Sequence, residues 1–132
     1  MDLRPAVIAL TLAAAFAAAP THSAAPAEQR VSVTMSTFRF KPDELKLVHG
    51  QPYALEVVNS SDQSHDFVAT GFFAAARMAP TERSRLAGDR IELKPGERVT
   101  LHLIAPPKGR YSFRCSHRIH TPMGMSGMIR VS

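Results

Sequence analysis

The strongest constraint on this chain is a repeat of period two. From Val31 onward, apolar and polar residues alternate in short runs. "VSVTM" puts Val31, Val33 and Met35 on one face, and "YALEVV" does the same for Tyr53, Leu55 and Val57. "DRIELKPGERVTLHLI" reads as a hairpin: Ile91 and Leu93 alternate, Pro95-Gly96 turns the chain, then Val99, Leu101 and Leu103 alternate. "GRYSFRC" sets Tyr111, Phe113 and Cys115 against Arg110, Ser112 and Arg114, and "MIRVS" turns Ile129 and Val131 inward. Successive side chains of a strand point to opposite faces, so each run makes a half-buried strand. Seven to eight short strands punctuated by Gly and Pro argue for an all-β chain, a Greek-key β-sandwich or small barrel. The exception is "GFFAAARMAP", Ala-rich and closed by Pro80. It predicts one short helix from about Phe72 to Met78 inside a long connection, as a chain crossing between sheets requires.

The 132 residues suit one core. The start of the chain is not expected to belong to it. Arg4 precedes an apolar run from Pro5 to Ala19, followed by the small residues of "THSAAPA". This is the layout of a secretory signal over residues 1–25, with cleavage between Ser23 and Ala27, and a domain over 30–132. The run falls short of the roughly 20 apolar residues a membrane span needs, so no stable insertion is expected after cleavage. No cysteine lies near it to carry a lipid, and no arginine pair precedes it. The expected address is the periplasm. Losing the leader removes Asp2 and Arg4, so the net charge stays at +5. A basic exported domain favours acidic partners or anionic headgroups. No nucleic-acid motif is present.

Export makes the single cysteine, Cys115, informative. No internal disulfide is possible, so it is a buried inert thiol, an intermolecular bridge, a reactive thiol or a metal ligand. Its neighbours favour the last. In "CSHRIHTPMGMSGM", Cys115, His120 and Met125 fall at C-x4-H-x4-M. Cys115 ends a strand pointing inward, and the loop after it has room to bend donors around one point. Three donors from one loop leave an ion open to water. The best fourth is His65 in "NSSDQSHDFVA", which starts a strand and shares a face with Phe67 and Ala69. Thiolate, two imidazoles and a weak thioether suit copper of the blue type. Zinc seldom takes methionine, and an iron–sulfur cluster needs more cysteines.

These residues resemble the cupredoxin family of blue-copper proteins, over about Val31 to Val131. "FKPDELKLVHGQPYALEVVNSS" is similar to the family's early strands, "HDF" to the strand with its first histidine, and "LKPGERVTLHL" to the hairpin before the ligand strand. "GRYSFRCSHRIHTPMGMSGMIRV" carries the most specific match: Y-x-F-x-C, then H-x4-M, then G-x-I-x-V. The resemblance implies an eight-stranded Greek-key sandwich holding one type 1 copper on His65, Cys115, His120 and Met125. It places the second histidine three or five residues after the cysteine, which His120 satisfies and His117 does not. "GMSG" aligns Met125, rather than Met123, with the axial ligand. Asp66 stands where family members often have Asn, and its backbone amide still reaches the thiolate.

The expected function is that of a one-electron carrier between redox partners, a monomer docking on an acidic partner surface through Arg110, Arg114 and Arg118. The alternative is copper tolerance, storage or delivery, with His117, Met123 and Met128 as extra donors. For Met123 and Met128 the simpler reading is packing. An enzyme is not expected, because four ligands leave no open coordination position. His102, on an outward face, and His49, in a turn, read as surface residues, and His22 leaves with the leader.

Overall fold

The alternating runs all become strands in the computed structural model, which describes residues 12–117 and 125–132. Among these residues there are nine strands: β1 (Gln29–Ser36), β2 (Arg39–Lys41), β3 (Glu44–Leu47), β4 (Pro52–Asn59), β5 (His65–Val68), β6 (Arg90–Leu93), β7 (Arg98–Ile104), β8 (Gly109–Arg114) and β9 (Ser126–Val131). They form two sheets, ordered β2-β1-β4-β7 and β3-β9-β8-β5-β6. β1 runs parallel to β4 and β3 parallel to β9, while the other pairs are antiparallel. The expected total was seven to eight; "FRFKPDELKL" contributes two short strands, β2 and β3, which lie either side of Pro42 and join different sheets. Residues 12–28 are exposed and carry neither helix nor strand. No helix among the described residues is long and apolar enough to cross a membrane.

The segment around Pro95-Gly96 is not a hairpin. β6 pairs with β5 in one sheet and β7 with β4 in the other. The turn is therefore an arch that carries the chain across the sandwich. Ile91 and Leu93 face Leu101 and Leu103 from opposite walls of one core. Gly96 takes φ +77, a conformation glycine adopts without steric cost. Its N–H donates to the Asn59 carbonyl (2.9 Å), and the Asn59 N–H donates to the Glu97 carbonyl (2.9 Å). The arch is thus tied to the end of β4.

The helical segment also differs from expectation. α1 (Thr70–Ala75) begins and ends earlier, and a second helix, α2 (Pro80–Arg83), follows. Arg77 leaves the helix because its backbone pairs with Ile104 on the edge of β7, N–H to carbonyl in both directions (3.2 and 2.8 Å). Pro80 does not stop a helix; it opens one, where its missing N–H costs nothing. Arg83 then reaches back to α1, donating to the carbonyls of Phe73 (3.1 Å) and Ala76 (3.0 Å). Those carbonyls at the helix end lack intrahelical donors.

The core between the sheets is aromatic at one end. Phe113 stacks on Phe67 (ring centroids 4.8 Å apart) and meets Phe40 edge-on (5.0 Å), and Phe73 closes on Phe67 at 6.0 Å. Phe67 lies two residues after His65, and Phe113 two before Cys115. The aromatic cluster is the floor on which both residues stand. Tyr111 lies further down β8, packed edge-on against Phe72 (5.9 Å), with its hydroxyl donating to the Pro107 carbonyl (2.7 Å).

Candidate metal centre

Strand parity delivers the two distant donors to one place. His65 opens β5, Cys115 follows the last residue of β8, and both are fully buried. The Cys115 sulfur lies 3.9 Å from His65 Nδ1. An ion bonded at ~2.3 Å to sulfur and ~2.0 Å to nitrogen holds such donors roughly 3.6–3.9 Å apart. The observed gap therefore fits a shared first-row metal ion without rearrangement. Met125, also fully buried, is joined to Cys115 by the Cys115 N–H, which donates to its carbonyl at 3.1 Å. His120, the remaining ligand expected from the sequence, lies outside the described residues, as do Met123 and Arg118.

The thiol sits among opposing influences. Burial pushes its pKa up from the ordinary value. The backbone N–H groups of Asp66 and His117 bond the sulfur and pull it down, and the neighbouring Asp66 carboxylate pushes it up again. Two N–H donors aimed at a buried sulfur favour the thiolate, the form that binds metal. The Asp66 amide thus stands where the resemblance implied.

His117 is closer to the centre than its position in the sequence suggests. One of its ring nitrogens, the Cys115 sulfur and an Asp66 carboxylate oxygen all lie within 4.8 Å of one another. Its Nε2 is 3.1 Å from Glu92 Oε1, and its ring centroid is 6.4 Å from that of His65. Met128 is half-buried in β9, in register with Ser112 and Glu44, on the face opposite the core residues Ile129 and Val131. His49 and His102 are exposed, and Nδ1 of His102 pairs with Glu28 at 2.8 Å.

Two residues that frame the centre were not singled out from the sequence. Asn59 is a completely buried amide at the end of β4. Its Nδ2 donates to the carbonyls of Gln63 (2.7 Å) and Leu93 (3.0 Å), and its Oδ1 accepts from the N–H (3.0 Å) and hydroxyl (2.8 Å) of Ser61. It locks the "SSDQS" loop that delivers His65 to the arch after β6. The signal was there: Asn before Ser-Ser-Asp marks a side-chain-closed turn. The second is Arg90. It reaches Asp66 Oδ2 (3.4 Å), the Ser116 hydroxyl (3.1 Å) and Asp89 Oδ1 (3.2 Å). Asp89 also accepts from the Thr70 hydroxyl (2.6 Å), and this bond holds its carboxyl below the ordinary value.

Residues 6–131 match the family model of the cupredoxin-like domain. Among solved structures, the fold is similar to three auracyanins. Dithionite-reduced auracyanin from the photosynthetic bacterium Roseiflexus castenholzii is 19% identical, with a TM-score of 0.60 over 79% of this chain and 97% of that one. Auracyanin B is 22% identical, with a TM-score of 0.59 over 84% and 93%. Auracyanin A, described as a "blue" copper protein from the green thermophilic photosynthetic bacterium Chloroflexus aurantiacus, is 18% identical, with a TM-score of 0.58 over 80% and 100%. No curated protein sequence matches the chain.

Proposed function

The chain belongs to the cupredoxin-like domain family, and on that premise we propose that it is an exported one-electron carrier with a single type 1 copper bound by His65, Cys115, His120 and Met125. The observation that carries this reading is the 3.9 Å approach of the Cys115 sulfur to His65 Nδ1 at one buried end of the sandwich. The auracyanins support it, one of them being described as a blue copper protein. Copper supplies a one-electron couple whose oxidised and reduced forms tolerate the same soft and borderline donors.

The chain's own part is to move little. His65 is held on β5 by the Asn59-locked loop before it, and Cys115 is held by the Asp66 and His117 amides. Few atoms then shift when one electron arrives or leaves. The phenyl rings of Phe67 and Phe113 below the donors keep water out and favour the less charged oxidation state. Arg114 is exposed one residue before Cys115 and suits an acidic docking surface on a redox partner. Arg110 lies about 13 Å further down β8, opposite Arg130. Its contribution is long-range steering rather than contact at the centre.

The leader over residues 1–25 gives the route to the periplasm. A second reading, copper handling, draws on the His117 ring nitrogen beside Cys115. Loading the leader-free protein with Cu(II) tests the first reading. It predicts one copper per chain and an intense thiolate-to-copper band in the visible. Two or more coppers per chain, with Cu(I) passed readily to an acceptor, favours the second. Copper bound without any visible thiolate band contradicts the carrier.

A further inference from the structure

Among the described residues, Asp66 is the one buried acid, and the metal-ligand set does not use its carboxylate. It is 1% exposed. The backbone register between β5 and β8 is recorded at Val68 and Arg114. At Ser116, beyond that pair, the connection to β5 is made by a side chain: Asp66 Oδ1 accepts the Ser116 N–H (2.6 Å), and Oδ2 accepts the Ser116 hydroxyl. Asp66 follows His65, and Ser116 follows Cys115. The clamp therefore sets the spacing of the two segments that bring the donors together.

A neutral amide or hydroxyl at position 66 accepts the same N–H without burying a charge. Burying a carboxylate is costly unless it is paired and hydrogen-bonded. Here the pairing comes from Arg90, whose guanidinium bridges Asp66, Ser116 and Asp89. Arg90 is shared between two carboxylates, so Asp66 is only partly neutralised. An oxygen of that carboxylate lies within 4.8 Å of the Cys115 sulfur. At such range, away from bulk water, a fixed negative charge stabilises the more positive state of a nearby ion.

We propose that Asp66, with Arg90 as its partial counter-charge, is a positioning residue that staples the His65 and Cys115 segments together and lowers the reduction potential of the copper held between them. The redox half of this inference rests on the copper reading above. The staple half does not.

The test uses the exported, copper-loaded protein at neutral pH and low salt, with three variants and redox titration of the visible band. Asp66→Asn keeps the shape and the acceptor for Ser116 N–H while removing the charge. It should raise the potential, increasing the Cu(I):Cu(II) ratio at a fixed potential roughly tenfold, about 59 mV for a one-electron couple. Arg90→Gln should move the potential the opposite way. Ser116→Ala, which leaves both charges in place, should shift it less than either. The redox inference is overturned if Asp66→Asn lowers the potential or leaves it unchanged, if Arg90→Gln moves it in the same direction, or if Ser116→Ala matches Asp66→Asn. A wild-type protein that never develops the band refutes the copper reading instead. The staple is then judged on the metal-free protein, by a double-mutant cycle between Asp66→Ala, which removes both acceptors, and Ser116→Ala in denaturant unfolding. Clear coupling between the two upholds the staple, and additivity removes it.

Discussion

Cys115 and His65 are fifty residues apart in the chain and 3.9 Å apart in space, sulfur to Nδ1. The contact is made by two strands of the same sheet, β5 and β8, whose inward faces end at the same level over Phe67 and Phe113. Nothing local links the two side chains. The donor pair is thus a property of the whole sandwich.

Cys115→Ser should abolish the visible band while leaving a folded protein. The core around Phe67, Phe113 and Ile129 is built from buried apolar side chains of both sheets, whose burial drives folding. Burying a hydroxyl in place of the thiol should cost about 1–2 kcal/mol of metal-free stability. Circular dichroism and denaturant unfolding check the fold, and absorption after copper addition checks the site. A variant that keeps the band excludes Cys115 as the ligand.

Asn59→Ala should be among the most damaging single changes outside the ligand set. It strips the carbonyls of Gln63 and Leu93 of a donor and Ser61 of an acceptor, in a buried setting. The expected loss is roughly 2–3 kcal/mol in unfolding of the metal-free protein. Copper affinity should fall with it, because the loop before His65 loses its anchor. A loss under about 0.5 kcal/mol, the range of ordinary surface changes, contradicts this role.

Gly127→Ala should destabilise by about 1–3 kcal/mol through overpacking. A methyl group there would run into the Phe113 ring and the Asp43 carbonyl. Phe113 would have to leave its stack on Phe67 or β9 would have to part from the Asp43 turn, where Met128 N–H donates (2.8 Å). Unfolding midpoints of the two proteins decide it, and equal midpoints refute the close approach.

His117→Ala separates the two functional readings. For a carrier, the variant should still bind one copper per chain and keep the visible band, because the substitution keeps the His117 backbone amide that bonds the sulfur. For a copper-handling protein, the variant should lose an equivalent of Cu(I). Copper titration followed by metal analysis gives the stoichiometry directly.

The inward parity of His65, Cys115, Ile129 and Val131 was legible in the sequence because a period of two survives any arrangement of the strands. The sheet to which each strand belongs was not. A Pro-Gly turn looks the same in a hairpin and in an arch, and only the pairing of β6 with β5 and β7 with β4 separates them. The end of α1 was misplaced because Ala-rich residues have no local reason to stop, and the backbone of Arg77 stops them by pairing with Ile104. Asn59 was not singled out and Asp66 was given only a backbone role, because the burial of their side chains depends on distant partners: Leu93 for one, Arg90 and Ser116 for the other.

The most direct measurement is a crystal structure of the copper-loaded, leader-free protein, with the metal located by anomalous scattering. One copper bonded to Cys115 Sγ and His65 Nδ1, with His120 and Met125 completing the set, is the predicted result. Copper found away from Cys115, or bound to it while His65 stays uncoordinated, contradicts the account.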